Sequence, residues 1–229
     1  MASPLHFLLK ACTAVAFVPA LQIVLKHKHH FSLYIGIMQI VTSLAYNTAD
    51  AIGMDVYLTK DEWGFMTDVC SITYVCVIAI HYMQFTNPDM TTGLRYLAFT
   101  LAWINKEKDG RISTIGQVIV IAGFVLGALG RMALGLANME KVDRKMATRG
   151  AALLALSGIG LGVEMRMRAT DFYQDGSKDT QLELMLGGDT GISVILALVH
   201  CCAGAAVYFL WAACPPMDVK QLDNLPNYI

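Results

Sequence analysis

The stretch from Phe31 to Gly53, FSLYIGIMQIVTSLAYNTADAIG, constrains this chain more than any other. It is about as long as a helix needs to be to cross a bilayer, roughly 20 residues at 1.5 Å rise each. Yet it carries Gln39, Ser43, Asn47 and Asp50 at intervals of four, four and three. At helical spacing these side chains form one polar stripe. Lipid offers no hydrogen bonds to an amide or a carboxylate, so the stripe must face other helices or a wet cavity. It is read as the functional wall of a multi-pass membrane protein.

Composition agrees: of 229 residues, 55% are hydrophobic and 15% charged, on the apolar side of ordinary soluble domains. The apolar runs imply a single membrane domain over residues 1–214 and a short polar tail over 215–229. The formal charge of -1 identifies no partner, because charge in such chains matters loop by loop. No basic tract with interleaved aromatics points to nucleic acid. Five cysteines, Cys12, Cys70, Cys76, Cys201 and Cys202, fall inside apolar runs, which is not a disulfide framework. Cys214, before Pro215 and Pro216, is either a small apolar residue or an acylation site if it faces the cytosol. Lys10 interrupts the first apolar run and no basic segment precedes it, so a retained helix is expected rather than a cleaved signal.

The pattern predicts an all-α bundle of seven spans, near residues 5–25, 31–53, 65–83, 92–104, 115–136, 150–163 and 190–213. The basic loop Lys26 to His30 reads as a solvated connection, although its three histidines are also a loose metal-binding pattern. Trp63 is placed as an interfacial anchor. Asp68 and Ser71 share a face of the third span, and His81 reads as a histidine near the opposite interface. The fourth span, with Arg95 near its start, is the weakest, and the charged loop Asn105–Ile112 after it lacks the closing glutamate of an EF-hand. Gly123, Gly127 and Gly130 in the fifth span, and Gly158, Gly160 and Gly162 in the sixth, read as close-packing positions. Arg131 and Glu164 are candidates for an ion pair between helices. His200 is the one ionisable residue within the seventh span. Lys26, Lys28, Lys141, Arg144, Lys145 and Arg149 favour cytosolic placement of their loops, which puts the N-terminus outside and the C-terminus in the cytosol.

Three segments resemble the family of myomaker and transmembrane protein 8, within a seven-helix superfamily that includes alkaline ceramidases and the progestin and adipoQ receptors. They are Ala16-Phe17-Val18-Pro19, Ser43-Leu44-Ala45-Tyr46-Asn47-Thr48-Ala49-Asp50, and Asp68-Val69-Cys70-Ser71-Ile72. A weaker fourth match lies at Val199-His200-Cys201-Cys202-Ala203. The resemblance implies a zinc site built from a serine and a histidine on the second helix, an aspartate on the third and a His-x-x-x-His pair on the seventh. In the ceramidases that zinc hydrolyses a lipid amide. Ser43, Asp68 and His200 match, whereas Asn47 and Leu196 stand where two of the histidines are expected. Asparagine is a poor zinc ligand and leucine is none.

Three functions follow. The first is a non-catalytic protein whose degenerate metal site has become a polar network of Gln39, Ser43, Asn47, Asp50, Asp68, Ser71 and His200, acting in membrane remodelling, fusion, adhesion or signalling through the bilayer or protein partners. The second is a metal-dependent hydrolase of lipid amides or esters with substituted ligands, in which Ser43, Asp68 and His200 are catalytic and His200 and Asp68 hold zinc. The third is a transporter or receptor whose stripe lines a ligand pocket. The first is preferred, with no resident cofactor expected and zinc left open, in the plasma membrane or an endomembrane.

Overall fold

The computed structural model describes residues 13–109, 115–137, 142–173 and 189–214. The start of the first span, the loop over 174–188, the tail, and the side chains of Glu164 and Leu196 lie outside the described residues. Those described form seven helices and no strand: α1 (Val18–Lys26), α2 (His30–Ile52), α3 (Lys60–Met83), α4 (Pro88–Asp109), α5 (Ile115–Ala133), α6 (Arg144–Tyr173) and α7 (Asp189–Ala213). Two segments, Lys60–Met83 and Gly116–Ala133, are long and apolar enough to cross a membrane.

Local chemistry explains the boundaries. A helical turn at Thr13–Val15 breaks before α1, where Pro19 lacks the N–H that Val15 would accept. Thr59 and Glu62 form a reciprocal capping box at the start of α3, the Thr59 N–H donating to Glu62 Oε2 at 2.8 Å and the Glu62 N–H to Thr59 Oγ1 at 3.3 Å. Asn87 Oδ1 accepts from the Asp89 N–H at 2.8 Å as Pro88 opens α4. Gly53, at φ 69°, ends α2.

The connection from α1 to α2 differs from the solvated loop expected. The His29 N–H donates to Val24 O at 3.1 Å and the Lys28 N–H to Leu25 O at 3.0 Å, with Lys28 at φ 59°. This is the double-bonded helix terminus usually built on glycine. It folds His29 inward to 1% exposure.

Helix α3 is the centre of the bundle. From Val69 to Met83 it is buried nearly all round, as a helix apolar on every face should be, and it packs against α2, α4 and α5. Helix α7 packs chiefly on α6 and on α1. Tyr82 bridges from α3 to α7, its hydroxyl donating to Leu210 O at 2.9 Å.

The glycines divide more finely than expected. A Cβ on Gly123, Gly130 or Gly158 would meet nothing within 4 Å, whereas one on Gly160 would lie 2.4 Å from Val199 Cγ2, and one on Gly204 would lie 2.7 Å from Ala16 O. Close approach is therefore real at α6–α7 and α1–α7, and unused along most of α5. The expected ion pair of Arg131 with Glu164 falls on a side chain outside the described residues. The Arg131 guanidinium donates to Met83 O at 2.7 Å and Leu136 O at 3.2 Å and lies 4.2 Å from the Phe85 ring centroid. A cation thus satisfies an orphan carbonyl at the end of α3, where the helix dipole also favours it.

Candidate functional site

The polar stripe of α2 lies on one helix face. Asn47 is buried, Ser43 and Gln39 are half-buried, and Gln39 Oε1 has no hydrogen-bond partner. Asp50, at the far end of the stripe, forms an ion pair with Lys60 in the first turn of α3. Asn47, Asp50 and His200 each make further interactions with neighbours.

Asp68, on α3, is held by Lys106 of α4 at 2.6 Å, with the lysine side chain 6% and the aspartate 46% exposed. The sequence pattern puts Lys106 in the loop after the fourth span, whereas it lies inside α4. It belongs to a face of α4 that carries Arg95, Ala98, Ala102 and Lys106 at helical spacing, and the two alanines are fully buried. Small side chains bring α4 close, and the lysine chain then reaches the carboxylate along the groove they leave. Ser71, one turn from Asp68, donates its hydroxyl to Thr67 O at 2.8 Å in its own helix. His200 is half-buried on α7, one turn before the Gly204 contact with Ala16, and so at the level where the chain enters α1.

The fit of zinc to this set fails on the arrangement itself. A catalytic zinc takes three protein ligands, and among the described residues no group of three or more His, Cys, Asp or Glu side chains converges. The matching aspartate already has a cation on it. No chemistry is therefore derived through a metal at Asp68 and His200.

A second concentration of polar groups lies at the opposite end of α3, where the sequence pattern implies a solvated histidine loop and an interfacial His81. His29, at the entry to α2, meets His81 of α3 at a ring-centroid distance of 4.6 Å and Trp211 of α7 at 5.3 Å, and His81 and Trp211 are 5.2 Å apart. Tyr74, two turns before His81 on α3, has its ring centroid 6.5 Å from that of Trp211. Burial and then the nearby Arg95 charge hold the His29 imidazole down to about 4, with His27 and His30 adding to the effect. Burial and the Lys26 charge lower His27 as well. No local motif announces this cluster, because its members come from four elements; the only usable hint was Arg95 on the same face as Ala98 and Ala102.

No curated protein matches the chain. A family model described as a protein of unknown function (DUF3522) matches residues 2–173, well over half of its length. The chain is a member of the DUF3522 family.

Proposed function

We propose that this protein is a multi-pass membrane protein of seven spans, with its N-terminus outside and its C-terminus in the cytosol, built on the plan of the myomaker and transmembrane protein 8 family. In this reading it is non-catalytic and acts in membrane remodelling, fusion, adhesion or signalling, through the bilayer or protein partners of the plasma membrane or an endomembrane. One observation carries the membrane reading: large apolar side chains cover the outside of the helices as well as filling the core between them. Large apolar side chains point outward on successive helices, among them Ile37 and Val41 on α2, Ile119 and Leu126 on α5, and Leu156 and Ile159 on α6. Lys106 is meanwhile turned inward onto Asp68. Each of these half-exposed apolar side chains forgoes on the order of 1 kcal/mol of burial if it faces water, and a lipid exterior removes that penalty.

The non-catalytic reading is supported by the chemistry of the matching positions, with Asn47 in place of an imidazole and Asp68 neutralised by Lys106. Epitope tags at the two ends test the topology. The membrane reading expects resistance to alkaline carbonate, an N-terminal tag shielded from the cytosol, reached by antibody on intact cells or only after the organelle membrane is opened, and a C-terminal tag reached once the plasma membrane alone is permeabilised. Release by carbonate refutes it. Elemental analysis of the detergent-purified protein tests the rest: equimolar transition metal in the wild type that disappears in His200→Ala would overturn the non-catalytic assignment in favour of a hydrolase.

A further inference from the structure

The face of α4 that packs toward α3 bears a cation near each end, and the two are treated differently. Lys106 has Asp68. Arg95 has no carboxylate partner among the described residues, and its Nε is buried without a hydrogen-bond acceptor. The carboxylates at that end of the bundle are committed or remote: Asp143 caps the start of α6 through the Lys145 and Met146 N–H groups, and Asp89 is exposed in the first turn of α4.

Around Arg95 the orphaned groups accumulate. Ser32 Oγ and both ring nitrogens of His29 are buried and unpartnered, and Trp211 Nε1 and the Tyr74 hydroxyl, which lie within weak hydrogen-bonding reach of each other, have no partner of good geometry. Those four side chains are each at most 3% exposed. Leaving a buried polar group unpaired is costly, and a set of this size within one cluster is the mark of a site that expects an occupant. The inventory also says what kind. Indole and guanidinium nitrogens only donate, the two hydroxyls can donate, and the imidazole supplies one more N–H. An electron-rich oxygen ligand satisfies such a set, and the unneutralised Arg95 favours one with negative charge. Lys26 and Lys28, exposed in the adjoining turn, add positive potential on that side of the bundle.

We propose that the cluster of His29, Ser32, Tyr74, Arg95 and Trp211 binds a phosphate-type oxyanion, either inorganic phosphate or the headgroup of an anionic phospholipid. Arg95 supplies the charge and the fork of donors, and Trp211 and Tyr74 supply directed hydrogen bonds. The headgroup source rests on the membrane reading above, whereas inorganic phosphate does not, so the two can fail separately.

The test uses the full chain purified in detergent and freed of lipid. Calorimetric titration with inorganic phosphate forms one arm, and native mass spectrometry after exchange into nanodiscs of phosphatidylcholine with or without phosphatidic acid forms the other. Binding in the first arm identifies a small anion; retention of phosphatidic acid, with no response to phosphate, identifies the headgroup. In either case Arg95→Gln is expected to weaken binding about 10- to 100-fold, the usual scale for losing charge-assisted hydrogen bonds. Trp211→Phe, which keeps the ring and removes the N–H, weakens it several-fold. Lys108→Gln, the same charge change on an exposed residue at the other end of α4, leaves it unaltered. Absence of binding in both arms overturns the proposal, as does an equal loss in Lys108→Gln, which would reduce the effect to general charge. Because Arg95 is only half-buried, its variant keeps the test decisive if Trp211→Phe fails to fold.

Discussion

The ion pair between Asp68 and Lys106 makes an asymmetric prediction. Its lysine is 6% exposed and its aspartate 46%, so the two single deletions leave very different residues behind. Asp68→Asn strands a buried ammonium beside a neutral amide. An unpaired buried charge of this kind costs several kcal/mol in a dry interior, and the half-open aspartate side lets water reach the pair and reduces the penalty to about 1–3 kcal/mol. Lys106→Met removes the buried charge, keeps most of the chain volume, and leaves a carboxylate that solvent can reach; the change should stay within about 1 kcal/mol. For a chain of this length about 2 kcal/mol corresponds to ~4–8 °C in melting temperature. Thermal unfolding in detergent can be followed by intrinsic tryptophan fluorescence, because Trp211 is 1% exposed and leaves its buried surroundings only when the bundle opens. The expected order is wild type close to Lys106→Met, both above Asp68→Asn, with Asp68→Asn/Lys106→Met restored toward the wild type. If Lys106→Met is the more destabilised single variant, the lysine is not buried against Asp68 and the account of this site is wrong.

The same assay reads four other expectations. Gly204→Ala drives a Cβ onto the backbone at Ala16, which cannot rotate away, and should cost about 1–3 kcal/mol; Gly158→Ala meets nothing and should be neutral or gain up to about 1 kcal/mol of helix propensity. Arg131→Met loses both carbonyl contacts at the end of α3 and its place over Phe85, and a drop of about 1–3 kcal/mol is expected, whereas no shift would mean that solvent serves those carbonyls equally well. Thr59→Ala breaks the capping box and should lower stability by about 0.5–2 kcal/mol. In phosphate-free buffer the folded chain resists protonation of His29 down to about 4 against an ordinary 6.5, so the unfolded chain takes up that proton first. The stabilisation is complete above pH 6.5 and is lost as the pH falls toward 4, a change of roughly 2–3 kcal/mol, and His29→Phe should flatten the melting profile over that window.

What the sequence disclosed was what local rules govern. The second span was expected over Phe31–Gly53 and the helix runs His30–Ile52, because a long apolar run and a terminal glycine specify both its length and its end. The fourth was expected to be short, near residues 92–104, and is 22 residues long, Pro88–Asp109. Asn105, Lys106 and Lys108 look like loop residues until the partner of Lys106, far upstream on α3, is known. His29 reads as part of a solvated loop and His81 as an interfacial histidine for the same reason: what packs against both is Trp211, on the last helix. The stripe of α2 was legible as a face, but which groups would meet it depended on how α3 and α4 pack, and no residue pattern encodes that.

Arg131 and Tyr82 also set an order in time. The carbonyl of Met83 waits for a residue 48 positions later, and the Tyr82 hydroxyl for a carbonyl 128 positions later. At the usual pace of synthesis, about 5–20 residues per second, those intervals amount to ~2–10 s and ~6–26 s. The central helix is therefore among the first made and the last completed: through most of translation its end is finished only provisionally, and a chain stopped before α7 would carry the core of the bundle without the contacts that close it.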